Sequence, residues 1–323
     1  MKFLKVNPEL QSAINKLQQL AGSTSFNLTD LAGARVMDQA INEQRLAAEP
    51  KRKSVNIATQ VIYDEAMGIE VEIQTYRIES TAPEKAGILF IHGGGFIFGR
   101  AQDARGRLSE WCEELDVFIV SVEYRLAPET PFPGALYDCY VALKWLFSNA
   151  LDVGVDAQRI AIVGESAGGG LAAGLALYAR DHSNFKAAFQ LLIFPMIDHT
   201  NIELASDKYP DTYIWNRENN RIAWDAYLGQ ELSPEMLQYA APSSASDLTG
   251  LPPAFIPVGE SDLFFAEDKE YAKRLSAAGV DVECKAYANA YHAFATIVPE
   301  AKISKQFNLD IKRALRDGLS LDC

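Results

Sequence analysis

A serine stands between two glycines in the segment GESAG at residues 164–168, directly after the apolar stretch RIAIV and at the start of a run rich in Gly and Ala. In a sharp turn from a strand into a helix, the hydroxyl of such a serine is exposed, and small neighbours let the two backbones approach closely. The pentapeptide alone is a weak signal, which its strand–turn–helix setting strengthens. We predict that Ser166 is a nucleophile; the alternative is a plain glycine-rich turn.

Two phosphate-binding motifs match this region poorly. A Walker-type loop requires Gly-Lys-Ser/Thr, and no lysine follows the glycines at residues 168–170. The spacing of Gly168, Gly170 and Ala173 loosely matches a dinucleotide fingerprint, but the first of these glycines follows the turn. The acidic residue that should end the next strand about 20 residues on is also missing there, because Asp198 lies 30 residues away.

A nucleophilic serine needs a general base, and the chain has four histidines. In proteins with this serine turn the chain order is serine, then Asp or Glu, then histidine. His292 follows the last predicted strand, where a loop at the carboxyl edge of the sheet is expected. His92 precedes the serine, His182 ends the following helix, and His199 has few acidic residues before it. We therefore predict His292 as the base.

Two aspartates are candidates for the acid that orients this base. Asp198 ends the strand LLIFPMID and Asp262 ends AFIPVGESD, so both lie at carboxyl ends of strands, where sites of open α/β sheets gather. Asp262 stands one strand before His292, which keeps the two loops side by side. We predict Asp262 as the acid and expect Asp198 to hold the start of the following insertion in place.

Three consecutive glycines at residues 93–95 follow another apolar strand. They could form a slack linker, a phosphate cradle, or a loop whose N–H groups face a reacting oxygen. Attack by Ser166 on a carbonyl creates an oxyanion that needs preorganised donors. One donor is expected from the N–H of Ala167 and others from the loop after the third strand, where these glycines lie. The sequence favours the third alternative.

These residues require a scaffold of alternating elements. Segments 54–63 and 69–79 alternate apolar and polar residues and predict a hairpin through Gly68. From residue 86 onward, short apolar strands alternate with helices, which is typical of a parallel sheet covered on both faces. Residues 8 to about 48 show helical spacing, with Asn7 as the N-cap. The helical stripe contains Leu10, Ile14, Leu17 and Leu20.

A polar and aromatic insertion at residues 200 to about 245 interrupts this alternation, and it is too long for a plain crossover. We predict an inserted helical piece that packs with the N-terminal helices. The chain is thus predicted as one domain, residues 1–323, with a cap formed by about residues 1–48 and about 200–245.

The composition excludes several classes of function. The 323 residues are 48% hydrophobic and 23% charged, the balance of a soluble globular protein. A net charge of −13 and a pI near 4.9 argue against nucleic acid and anionic membranes as partners. We find neither a signal peptide nor a run long enough to span a membrane. The cysteines are too scattered for a metal site or disulfide framework, which favours the cytoplasm. They are Cys112, Cys139, Cys284 and Cys323.

Several motifs in a fixed order resemble the hormone-sensitive-lipase family of α/β-hydrolases (bacterial family IV esterases). They are HGGGF at residues 92–96, YRLAPE at 124–129, the nucleophile segment from residue 156, WNRENNRIAWDAYLG in the insertion, and YHAF at 291–294. The resemblance covers nearly the whole chain. It implies an α/β-hydrolase fold with a mostly parallel eight-stranded sheet, flanking helices and a helical cap. It further implies a cofactor-free, metal-free carboxylesterase that acts on small esters of short acyl chains.

The resemblance also assigns roles to residues. It implies a triad of Ser166, Asp262 and His292, and makes His92 a structural residue of its loop. The implied oxyanion hole consists of Gly94, Gly95 and Ala167. Substrate-pocket residues are expected at Phe96, Tyr213, Leu263, Phe264 and Tyr291. A homodimer is an open option for assembly.

The chain departs from the family pattern at two places. Glu165 stands where Asp or Thr is usual, and Phe265 and Ala266 replace a polar pair after the triad aspartate. A lactonase or amide deacylase with the same triad remains an alternative function. A ligand-binding receptor of this fold, as in plant gibberellin receptors, is a second alternative, although such receptors have lost the histidine that is present here as His292.

Overall fold

A computed structural model describes residues 3–21, 23, 25, 27–49, 52–79, 84–201 and 211–321. Its centre is one eight-stranded sheet, as the sequence predicted. The strands are β1 (Val55–Asp64), β2 (Ile69–Ile78), β3 (Lys85–Ile91), β4 (Phe118–Glu123), β5 (Val155–Glu165), β6 (Phe189–Ile193), β7 (Ala254–Gly259) and β8 (Val282–Tyr287).

The strands lie in the order β1-β2-β4-β3-β5-β6-β7-β8. β1 and β2 form the predicted antiparallel hairpin, and β2 also pairs antiparallel with β4. The remaining five pairs of neighbouring strands, from β4–β3 to β7–β8 across the sheet, are all parallel. Gly68 makes the hairpin turn with a φ of +64°, a conformation that glycine adopts without steric cost.

Helices flank both faces of this sheet. The helices are α1 (Gln11–Ala21), α2 (Leu31–Ala48), α3 (Arg105–Leu115), α4 (Gly134–Ser148), α5 (Ala167–His182), α6 (Arg217–Leu228), α7 (Pro234–Ala240), α8 (Phe265–Ala277), α9 (Phe294–Ile297) and α10 (Lys302–Gly318). Apolar residues of α4, α5 and α8 pack in a core on one face, and those of α3 and α10 pack in a core on the other. Burial on both faces explains why the central parallel strands, such as β6 and β7, are largely apolar along their whole length.

The N-terminal helical region differs from the prediction in its boundaries. It contains the two helices α1 and α2, and α1 begins at Gln11, after a turn in which the side chain of Asn7 accepts the N–H of Glu9 at 3.0 Å. Leu10 and Ile14 of the predicted stripe are buried. The side chain of Leu20 lies outside the part of the chain that the structure describes, as does Cys323.

Residues 211–240 of the insertion contain α6 and α7, and residues 202–210 lie outside the described ranges. The N-terminal region meets this insertion at two isolated bridges, between Phe3 and Asp211 and between Ser25 and Ile214. None of the helices in the described ranges combines the length and the apolar character that a membrane span requires.

Candidate active site

Ser166 occupies the turn between β5 and α5 in a strained conformation, with φ +54° and ψ −122°. The turn requires glycine two residues before and two residues after the serine. A β-carbon at Gly164 would lie 2.0 Å from the carbonyl oxygen of Gly168, and one at Gly168 would lie 2.2 Å from that of Ile91. The carbonyl of Ser166 accepts hydrogen bonds from the N–H groups of Gly170 and Met196 at 3.0 and 2.9 Å. These contacts hold a backbone conformation that an L-residue otherwise avoids.

His292 lies beside this serine, on the loop between β8 and α9. Its Nε2 is 3.0 Å from Ser166 Oγ, and its Nδ1 is 2.8 Å from Asp262 Oδ2. Because the carboxylate accepts the Nδ1 proton, Nε2 presents its lone pair to the serine hydroxyl. The rings of Phe194 and Phe264 meet the imidazole edge-on, at centroid distances of 4.8 and 5.2 Å, and fix its orientation.

The two candidate acids have different surroundings. Asp262 follows β7 and reaches His292, and its other oxygen accepts the N–H of Phe264 at 3.1 Å. Asp198 follows β6, where its Oδ1 accepts the N–H and the hydroxyl of Thr200 at 2.9 and 2.7 Å. The structure therefore brings Asp262 to the histidine and places Asp198 in a turn at the start of the insertion.

The three glycines form a tight loop at the end of β3. Gly94 and Gly95 have φ values of +120° and +59°, and the carbonyl of Gly94 accepts the N–H groups of Ile97 and Phe98, each at 3.0 Å. Neither glycine donates its own N–H within the described ranges. Ala167 is the first residue of α5, a position whose N–H has no partner inside the helix. Such N–H groups are the donors that an oxyanion needs.

His92, at the start of this loop, is buried and is not placed to act as a second base. Its ring stacks on Tyr124 at a centroid distance of 4.1 Å, and its Nδ1 is 2.7 Å from the carbonyl oxygen of Gly93. Burial lowers the pKa of His92 to about 4, so the ring is neutral near pH 7. His92 thus packs the loop, as expected.

A cavity of about 500 Å³ opens above Ser166. Its inner wall includes Gly94, Gly95, Phe194, Trp215 and His292. Towards α2 and α3 the wall becomes polar, with charged side chains at Asp38, Arg45, Glu49, Arg52, Asp103, Arg107, Glu110 and Glu165. Burial and the nearby Asp103 raise the pKa of the Asp38 carboxyl to about 6.

The lining of this cavity does not include the five residues that the resemblance assigns to the substrate pocket, and their contact with a substrate stays a prediction. Phe96 has a φ of +65°, and its ring stacks on Tyr227 of α6 at 3.9 Å. Tyr213 stacks on Phe3 at 4.8 Å. The remaining three are buried next to the triad loops: Leu263, Phe264 and Tyr291. The apolar part of the cavity wall includes the side chains of Phe194, Ile214 and Trp215. Proximity to the motifs in the sequence does not decide which side chains face the cavity, because the local backbone conformation orients each side chain.

An α/β-hydrolase is the class of protein that this sheet and nucleophile turn define. Residues 88–296 match the model of a family described as having the alpha/beta hydrolase fold, and the chain belongs to this family. The order of its motifs places it in the hormone-sensitive-lipase-like group, as predicted.

Similar proteins are named as esterases. The chain is 35% identical over 246 residues to "Esterase LipI" of Mycobacterium tuberculosis, covering 74% of this chain and 76% of that protein. It is 36% identical over 239 residues to "Carboxylesterase NlhH" of the same organism, covering 71% and 73%. The solved structure of a "Bacterial Heroin Esterase" superposes with a TM-score of 0.89 at 37% identity, covering 98% of both chains.

Proposed function

We propose that this protein is a serine carboxylic ester hydrolase that acts on esters of short to medium acyl chains. The observation that carries the proposal is the continuous hydrogen-bond chain from Ser166 through His292 to Asp262, with distances of 3.0 and 2.8 Å. The esterase names of its relatives support the same reaction.

One side chain, His292, carries the proton through both steps of this reaction. His292 takes the proton from Ser166 as the serine oxygen attacks the ester carbonyl, and Asp262 stabilises the imidazolium. The N–H groups of Gly94, Gly95 and Ala167 stabilise the tetrahedral oxyanion. His292 then donates the proton to the leaving alcohol, which gives an acyl-enzyme. Water, activated by the same histidine, releases the acid and restores the serine.

We also propose that residues 1–48 and 200–245 form a cap on a single α/β-hydrolase domain that spans residues 1–323. Two contacts support it. The Nδ2 of Asn216 donates to Ser25 Oγ at 2.8 Å, which ties the two segments together. Trp215 in turn packs over Gly95, which belongs to the loop of three glycines at residues 93–95, called the oxyanion loop below. A cytoplasmic location and a homodimer stay predictions, and size-exclusion chromatography with light scattering tests the dimer.

The test of the proposed reaction uses p-nitrophenyl acetate, butyrate and decanoate. We expect the wild type to hydrolyse the first two fastest and Ser166→Ala to fall to the background rate. Ser304→Ala serves as the control, because Ser304 is also a buried serine, on α10, and its hydroxyl has no hydrogen-bond partner in the part of the chain that the structure describes. Equal rates for the wild type and Ser166→Ala would exclude the esterase function, and an optimum on decanoate would contradict the chain-length prediction. Parallel assays on lactones and anilides test the alternative leaving groups.

A further inference from the structure

We propose that Arg107 and Glu165 are a positioning pair that fixes the nucleophile turn against the oxyanion loop and removes an uncompensated negative charge from the reaction centre. The inference rests on the proposed ester hydrolysis. The pair gives a role to Glu165, the residue directly before the nucleophile. The proton transfers of the proposed mechanism do not involve Glu165.

The pair joins two elements that are distant in sequence. Glu165 is the last residue of β5 and directly precedes Ser166, whereas Arg107 lies in the first turn of α3. Arg107 Nη2 donates to Glu165 Oε2 at 2.7 Å. The two side chains are only 22% and 21% exposed, so water screens this pair less than it screens a surface ion pair.

The guanidinium of Arg107 also contacts the strand that leads into the oxyanion loop. Its Cζ lies 5.3 Å from the ring centroid of Phe90 and 5.3 Å from that of Trp111. Phe90 belongs to β3, three residues before Gly93, and its ring meets Trp111 edge-on at 6.2 Å. One side chain therefore touches the end of β3 through a cation–π contact and the end of β5 through an ion pair.

Glu165 itself also contacts the oxyanion loop, at Gly93. A β-carbon built on Gly93 would lie 3.1 Å from the carbonyl oxygen of Glu165 and 3.4 Å from its Cγ. The stem of Glu165 thus forms the surface on which Gly93 rests. Because Gly94 follows Gly93 and Ser166 follows Glu165 in the chain, a shift of Glu165 moves the oxyanion donor and the nucleophile relative to each other.

The charge of the pair matters for the same reaction. Glu165 and Arg107 both line the cavity above Ser166. As the tetrahedral oxyanion forms, an unpaired carboxylate in this cavity opposes the new negative charge, and the low local dielectric strengthens that repulsion. The guanidinium of Arg107 pairs with the Glu165 carboxylate, and its positive charge compensates the repulsion between that carboxylate and the oxyanion.

The test compares Arg107→Met, Glu165→Gln and the double variant by steady-state kinetics with p-nitrophenyl butyrate. Arg107→Met leaves the carboxylate unpaired and frees the loop, so we expect kcat to fall about 10- to 100-fold with KM within about threefold. Glu165→Gln keeps the shape and removes the charge, so we expect at most about a fivefold loss of kcat. In the double variant no charge remains but the ion pair is also lost, so we expect kcat at least about threefold above that of Arg107→Met and still below that of the wild type.

Arg159→Met is the matched control, because Arg159 pairs with Asp156 at 2.9 Å at the opposite end of the same strand. It should keep the wild-type kcat. If Arg107→Met does not fold by circular dichroism, Arg107→Lys replaces it, with an expected kcat within about tenfold of the wild type and below it. A wild-type kcat in the Arg107 variant, a change in KM alone, or a double variant no faster than Arg107→Met overturns the proposal. An inactive wild type instead refutes the ester hydrolysis.

Discussion

The α-carbon of Gly95 lies directly against the indole ring of Trp215: a β-carbon at residue 95 would come within 2.3 Å of the ring carbon Cη2. The ring is itself held in place. Its Nε1 donates to Asn220 Oδ1 at 3.1 Å, and Phe98 meets it edge-on at 6.4 Å. A side chain of the insertion therefore sets the position of the oxyanion loop.

Gly95→Ala should lower kcat about 100-fold, because the new methyl group must displace either Trp215 or the loop that carries the oxyanion donors. Gly68→Ala is the matched control. Gly68 has nearly the same φ, +64°, but a β-carbon there would have no neighbour within 4 Å. The control should lose about 1 kcal/mol of stability and keep its kcat. If both variants turn over p-nitrophenyl butyrate at the wild-type rate, the loop does not depend on this contact.

Gly94→Ala should lower turnover far more than it weakens substrate binding. A β-carbon at this residue would lie 1.9 Å from the carbonyl oxygen of Phe98, so the loop has to open and its N–H groups turn away from the oxyanion. We expect kcat to fall at least 100-fold and KM to change by less than about threefold. A variant that loses only affinity would mean that the loop shapes the pocket instead.

Asp262→Asn should lower kcat by about 10⁴-fold, because an amide in place of the carboxylate no longer selects the imidazole tautomer with a free Nε2. Asp198→Asn is the matched variant at the end of the neighbouring strand. Its side-chain oxygen can still accept the N–H of Thr200, so we expect kcat within about threefold of the wild type. The reverse order of losses would transfer the orienting role to Asp198.

Asp38 should make the protein less stable as the pH rises from 4 to 6. Burial and the nearby Asp103 raise its folded-state pKa to about 6, above the value of 3.8 for an unperturbed aspartate. The folded state therefore binds the proton more tightly than the unfolded state does. The raised pKa therefore has little effect on the free energy of unfolding below pH 4 and lowers it by the full amount above pH 6.

Asp38→Asn removes that ionisation, so it should raise the free energy of unfolding by about 2 kcal/mol at pH 8 and change it little at pH 4. Urea denaturation at the two pH values measures the difference. Asp281→Asn, at an exposed aspartate, serves as the control substitution. An equal effect of Asp38→Asn at both pH values would contradict the ionisation argument.

Much of the scaffold and the triad geometry could be anticipated from the sequence because both depend on local patterns. The β1–β2 hairpin follows from alternation and Gly68, and the serine turn follows from its flanking glycines. The helix α10 was not predicted, although a signal for it exists. Phe307, Ile311, Ala314 and Leu315 recur at helical spacing, and all four are buried.

The cavity wall and the Arg107–Glu165 pair depend on long-range geometry that spacing does not encode. Phe96 stands next to the glycines in the chain, but its positive φ turns the ring towards Tyr227 and away from the cavity. Arg107 and Glu165 are separated by 58 positions, and nothing in the sequence near either residue identifies the other.

The contact between Ser25 and Asn216 spans 191 positions of the chain. A ribosome synthesises the first two helices well before the segment that holds them, and the base at residue 292 emerges later still. A nascent chain therefore carries its nucleophile for some time without a partner to activate it. The hydroxyl of Ser166 can be activated only after residue 292 has been synthesised, so chains truncated before residue 292 should be inert towards esters.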